Sequence, residues 1–238
     1  MNYLELGEAF HREARYAGVA PTTLQNQTGQ ALDIASWIAQ AWSDIQIMLD
    51  GRWRWLWHEF TVNTVASDDS YAYGDCTDVQ DAAAITRFHA WHLNDIYNPP
   101  KIYLTSSGAA TEQWLIWTPW EAFKQVYKIG TQNDAMPVHI TIDPRDNIVL
   151  GPAPNDVYTI TGDYWKARQL LSADADEPEC PAQFHMLIVY EAMMKFGYAE
   201  VAPEALMRAN VEGKRLLNAL IKNQGASRVR FRQAPPLA

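Results

Sequence analysis

Hydrophobic residues recur along this chain with two periods, and the changes from one to the other mark its elements. Between Tyr3 and Tyr16, Leu4, Leu6, Ala9, Phe10 and Ala14 fall at near-helical spacing, and Gly18 stands where a C-terminal cap is expected. A longer stripe of Ala31, Ile34, Ala35, Ile38, Ala41, Trp42, Ile45, Met48 and Leu49 predicts a helix running towards Asp50, with Thr23 or Thr28 as its cap and Gly51 as its end. From Phe184 to Tyr198 the pattern changes: Met186 to Met194 is apolar except for Glu191, so this helix needs cover on nearly every side. Pro203 then opens a last helix, in which Leu206, Ala209, Gly213, Leu216, Leu217 and Leu220 share one face while Glu204, Arg208, Glu212 and Arg215 lie elsewhere. Mutual packing of these stripes predicts a bundle core of Ile34, Ile38, Trp42, Ile45, Leu187, Ile188, Leu216 and Leu220.

Elsewhere the period is two. Val138, Ile140 and Ile142 alternate with His139, Thr141 and Asp143, Pro144-Arg145-Asp146-Asn147 supplies turn chemistry, and Ile148, Val149 and Leu150 begin a returning strand, which together predict a β-hairpin. Tyr158 to Trp165, rich in β-branched and aromatic residues, predicts a third strand. Phe60 to Thr64, Ala84 to Leu93, Lys101 to Thr105 and Gln113 to Trp117 read as further strands. Thr118-Pro119-Trp120-Glu121 has the form of a helix start, with threonine as cap, proline at the first position and glutamate returning the hydrogen bond; that helix is expected to stop at Gly130. The class is α+β: a helical bundle with a small antiparallel β-domain inserted between early and late helices. Residues 1–52 and 181–225 are assigned to the bundle, 53–180 to a mostly β insertion with one short helix, and 226–238 to an extended C-terminal arm.

Composition narrows what such a fold can do. Hydrophobic residues make up 48% and charged residues 20%, which favours a globular chain over a disordered one. The net charge of −9 argues against a general nucleic-acid binder, and the charge is unevenly spread. Residues 1–212 hold 13 basic and 28 acidic residues, a net −15, whereas no acidic residue follows Glu212 and six basic ones do. No run approaches the ~18 apolar residues of a membrane span, and Met1 to Glu5 lack the basic flank and apolar core of a leader, so assembly in a cytoplasm is expected. Cys76 and Cys180 have no C-x-x-C spacing and read as free thiols.

The candidate chemistry is sparse. Trp53, Trp55 and Trp57 interleave with Arg52 and Arg54 in a way that could stack single-stranded bases, but in an acidic chain a packed helix-to-strand corner is the simpler reading. Asp68, Asp69, Asp75, Asp78 and Asp81 lack the order of a calcium loop and read as a solvated acidic run, like Asp174, Asp176, Glu177 and Glu179 further on. His89, His92 and Asp95 invite a metal reading, yet residues three apart on a strand face opposite ways. The enzyme alternative is a glycoside hydrolase, built on a carboxylate pair such as Asp174 with Glu177 or Asp143 with Asp146 and on tryptophans as sugar platforms. No nucleophile elbow, phosphate loop or H-E-x-x-H motif occurs.

Three stretches carry a resemblance: Asn147-Ile148-Val149-Leu150-Gly151-Pro152-Ala153-Pro154, the Tyr158 to Leu171 strand ending in Leu170-Leu171-Ser172, and Cys180-Pro181-Ala182-Gln183-Phe184-His185. With these stretches, and more loosely through Trp53-Arg54-Trp55-Leu56 in its first half, the chain resembles the adaptor, or head-to-tail connector, proteins of tailed bacteriophages. The resemblance implies a structural virion protein with no catalytic, cofactor-binding or metal-binding residue. Its implied form is a ring, dodecameric, that joins the portal to a downstream neck or tail protein around a channel through which genomic DNA passes without sequence-specific binding. Another neck component, such as a stopper or tail-completion protein, is the nearest alternative, and the long amphipathic helices favour an adaptor. On this reading the acidic runs Asp68 to Asp81 and Asp174 to Glu179 face the lumen or an exposed rim, where they repel phosphate. The arm would dock on portal: Arg228, Arg230 and Arg232 alternate with Val229 and Phe231, which suits strand addition and pairing with carboxylates, and Pro235-Pro236 would stop the strand.

Overall fold

The computed structural model describes residues 1–225. In chain order the elements are α1 (Tyr3–Glu13), α2 (Gln30–Ile47), β1 (Trp57–Asn63), β2 (Ser70–Tyr71), β3 (Thr77–Asp78), β4 (Ala83–Ala84), β5 (Phe88–His92) and β6 (Lys101–Leu104). They continue with β7 (Gln113–Trp114), β8 (Ile116–Trp117), α3 (Trp120–Tyr127), β9 (His139–Ile142), β10 (Ile148–Gly151), β11 (Tyr158–Lys166), α4 (His185–Ala199) and α5 (Pro203–Gln224). The chain is α+β and divides into two compact units, one of Met1–Trp55 with the residues from Arg168 onward, the other of Leu56–Ala167.

The helical unit is built around α4. Because α4 is apolar on most faces it is covered from three sides, by α1, α2 and α5. Its Leu187, Ile188, Val189, Ala192 and Met193 are buried, as are Leu6 and Phe10 of α1, Ile34, Ile38, Trp42 and Ile45 of α2, and Ala209 and Leu220 of α5. The α4–α5 approach is close at Gly197, where a Cβ would stand 2.9 Å from the Leu206 Cβ. Leu216 is the exception among the expected core residues: it lies at the edge of the α5 stripe and is half-buried. The three expected caps also differ. Arg15, not Gly18, takes the left-handed conformation just beyond α1 (φ 52°), and Gly29 precedes α2 with no side-chain cap from Thr23 or Thr28. In the other unit Thr118 does not cap α3, because its amide donates to the Ile140 carbonyl (3.0 Å) and holds it in strand geometry, leaving Pro119 at the N-cap.

The second unit carries two sheets. The larger has the order β4-β3-β1-β11-β6-β7, with β5 also paired to β11; the smaller has the order β2-β10-β9-β8. β11 is nine residues long, so one of its edges holds β1 along its length while the other is shared by β6 at Tyr158–Thr161 and β5 from Asp163 onward. Gly162 sits at that changeover opposite Phe60, and a Cβ there would come 2.9 Å from the Phe60 ring. The hairpin of β9 and β10 forms in the expected place, with Ile142 opposite Ile148. Two expected strands are broken. Ala84 to Leu93 yields only β4 and β5, and Gln113 to Trp117 divides at buried Leu115, whose amide bonds to the Pro100 carbonyl while that of Ile116 bonds to Val138, carrying the chain from one sheet to the other. Among the described residues all strand pairings are antiparallel except β8 with β9, which departs from the expected antiparallel domain.

Candidate assembly surfaces

Most of the side chains that looked like candidate chemistry are occupied in holding the fold. Asp78 is the clearest correction: expected on a solvated run at a lumen or rim, it is buried. Its Oδ1 accepts from the amides of Gln80 (2.8 Å) and Asp81 (2.9 Å), and its Oδ2 accepts from the Tyr164 hydroxyl (2.5 Å) and pairs with His58 Nδ1 (2.8 Å). Burial opposes its ionisation, but the hydrogen bonds from Tyr164, the Asp81 amide and His58, with the imidazole charge, outweigh burial and hold the carboxyl below its usual range. His58, Asp78 and Asp81 form the one cluster of three potential metal ligands among the described residues. Its cation is already supplied by the protein: the Lys166 ammonium lies 2.7 Å from Asp81, and both lone pairs of Asp78 Oδ2 are engaged. A metal ion would have to displace Lys166 and the bridging proton, so the cluster reads as a clamp on β1, β3 and β11.

The other acidic residues divide by partner. Asp68 and Asp75 are exposed, Asp69 pairs with Lys128 (2.6 Å), and Asp81 with Lys166. In the second run only Glu177 is exposed; Asp174, Asp176 and Glu179 are half-buried. Asp174 accepts from the Leu24 amide (2.8 Å), and Asp176 accepts from the amides of Ser172 and Ala173 (2.7 Å each), bonds that hold its carboxyl low. This loop is therefore part of the helical unit, and its Asp176 carbonyl also accepts from the Tyr3 amide at the start of α1 (2.8 Å).

Several other candidate residues also have partners within the fold, while Trp57 is exposed. Asp143 ties the hairpin turn through the amides of Arg145 (2.8 Å) and Asn147 (2.9 Å), while the Asp146 carbonyl accepts from the Trp91 indole (2.8 Å). His92 pairs with Asp95 (3.4 Å), and His89 does not join them in a cluster. Trp53 is fully buried, donates to the Ile45 carbonyl (2.9 Å) and stacks on Trp55 with 4.7 Å between centroids, so it offers no platform for bases. Burial pushes the thiols of Cys76 and Cys180 up to about 12 and leaves them inert. The arm residues Arg228, Val229, Arg230, Phe231 and Arg232 lie outside the described residues.

Among the exposed apolar side chains of the described residues, two groups share a surface feature, one a helix face and the other a groove, and sequence reasoning passed over both. On α5, Met207 is 66% and Val211 63% exposed, with Ile221 also open to solvent. At ~100° per residue these three, with Lys214 and Asn218, fall within about 80° of arc opposite the buried stripe, a seam roughly 21 Å long. On the other unit, Ile96 and Tyr97 are 89% and 90% exposed and, with Trp114 and Ile116, line a groove of about 610 Å³ whose one charged residue is Asp95. The seam was legible as spacings of four and ten residues within a helix already assigned one stripe; Ile96 and Tyr97 fall between the expected strands Ala84 to Leu93 and Lys101 to Thr105, where no element was assigned.

Among the described residues, then, Asp78, Asp143, Asp174, Asp176 and Trp53 hold the fold together, and exposed apolar groups lie on α5 and beside β7 and β8. The chain matches the family model described as SU10 adaptor protein over residues 1–235 and belongs to that family, a bacteriophage adaptor family, which makes it a structural protein of the virion neck. No curated protein matches it.

Proposed function

We propose that this chain is the adaptor subunit that joins the portal vertex of a phage capsid to the next neck or tail protein, as a closed ring of twelve copies around the DNA channel. Family membership over nearly the whole chain supports the adaptor role, and the exposed α5 seam is the observation that carries ring assembly. Met207 and Val211 adjoin on solvent one turn apart, and Ile221 lies farther along the same face beyond Lys214 and Asn218; none of the three is needed by the subunit's own core, and exposed apolar side chains aligned on one helix face suit a contact with another protein. The net −15 of residues 1–212 suits a channel past which DNA slides, with exposed Asp68, Asp75, Asp81 and Glu177 at the lumen or rim. The basic and apolar alternation of Arg228 to Arg232 remains the proposed portal-docking arm, adding as a strand to a sheet edge of the portal. Deleting residues 226–238 should leave circular dichroism and tryptophan fluorescence unchanged while abolishing co-sedimentation with portal. Unaltered co-sedimentation of the truncated chain would remove the arm from the proposal.

A further inference from the structure

We infer that the α5 seam of one copy lies in the aromatic groove of the next copy, so that the ring closes through one repeated helix-in-groove contact. The inference rests on the ring reading and names its interface. Its apolar partners are the seam, Met207, Val211 and Ile221, and the groove formed by Ile96, Tyr97, Trp114 and Ile116, each surface exposed on its own unit. Laying the apolar face of an amphipathic helix into a hydrophobic groove is a recurring recognition mode, and Met207 and Val211 supply an i, i+4 anchor pair with Ile221 farther along the same face.

Charge favours the same pairing. The unit that carries the groove, Leu56–Ala167, holds 14 acidic and 6 basic residues, and Asp95 stands in the groove wall. The second half of α5 after Glu212 carries Lys214, Arg215 and Lys222 with no acidic residue, and Lys214 lies within the seam itself. A seam meeting a second seam would bring Lys214 of each copy to the same face; a seam in the groove brings Lys214 to a wall that carries Asp95 and, beside Trp114, the Lys101–Glu112 pair. Because the two patches differ, the contact is heterologous, and repeating it with a rotation that closes gives the ring already proposed, without a two-fold axis.

That asymmetry gives the test. Val211→Glu blocks the seam and Tyr97→Glu blocks the groove, and both positions are mostly exposed, so the fold is expected to survive, as circular dichroism of each variant would verify. At a concentration where the wild-type chain assembles, alone or on portal, each full-length variant by itself should be monomeric by native mass spectrometry. An equimolar mixture should give a one-to-one dimer and nothing larger, because the intact seam of Tyr97→Glu meets the intact groove of Val211→Glu and both free ends are blocked. Rings formed by Tyr97→Glu alone, or a mixture that stays monomeric, would overturn this interface while leaving the ring standing. A wild-type chain that never assembles, with or without portal, would overturn the ring reading and this inference with it.

Discussion

Replacing Asp78 by alanine probes how far the second unit depends on one buried carboxylate. Four hydrogen bonds converge on it, and their fates after deletion differ. The amides of Gln80 and Asp81 belong to exposed residues and can turn to water, and His58 is partly open, but the Tyr164 side chain is 1% exposed and its hydroxyl would be stranded. An unsatisfied buried hydroxyl costs about 1–3 kcal/mol, and losing hydrogen bonds to a charged acceptor costs about 1.5–3 kcal/mol more, so Asp78→Ala should destabilise the unit by about 3–5 kcal/mol. Tyr164→Phe, which leaves the other three bonds in place, should cost about 1–2 kcal/mol. Urea unfolding followed by tryptophan fluorescence and by amide exchange across β1 and β11 would measure both. The pH dependence follows from the depressed carboxyl: its contribution is full above the unfolded value near 3.8 and is lost as pH falls through the lower folded value. The gap between wild type and variant should therefore narrow on acidification to below about pH 4, by the part that depends on the ionised carboxyl, while the cost of the stranded Tyr164 hydroxyl remains. A neutral-pH loss under about 1 kcal/mol, or a gap that does not change with acid, would refute the clamp.

Other substitutions separate core from edge and favourable from unfavourable charge. Leu220→Ala should cost about 2–5 kcal/mol and half-buried Leu216→Ala about 1–2 kcal/mol, and equal losses in denaturant melts would contradict the packing described for α5. Asp163 is buried, and burial raises its carboxyl against the hydrogen bonds from Trp57 and Asn98, so its ionisation works against folding once pH rises above 3.8 and through the raised folded value. Asp163→Asn should accordingly stabilise the chain by about 0.5–2 kcal/mol near neutral pH, with the gain fading in acid; destabilisation at neutral pH would show that the charge is needed.

What the sequence revealed, and what it concealed, follows from how local each cause is. The all-round apolarity of Met186 to Met194 could only be satisfied by several neighbours, and α4 has three. The Ile140–Ile148 hairpin was readable because its alternation and its Pro144–Asn147 turn are contiguous, although the side chain that fastens the turn is Asp143. Asp78 was misread because its cause is distant: Tyr164 lies 86 residues away, and nothing near Asp78 distinguishes it from Asp75. Thr118 was misread because a strand partner competes for its amide, and a capping motif carries no record of such a competitor. The candidate surfaces were concealed by their own position. An apolar residue on solvent, such as Val211 or Tyr97, looks in sequence like any other apolar residue until the fold shows that nothing covers it.

The central claim is that copies of this chain close into a ring on the portal. Native mass spectrometry of the full-length protein titrated onto purified portal tests it most directly. The account predicts a discrete complex whose added mass is twelve chains of 27.0 kDa, formed without stable partial rings once portal is saturated. A chain that remains a 27.0 kDa monomer in the presence of portal would contradict it.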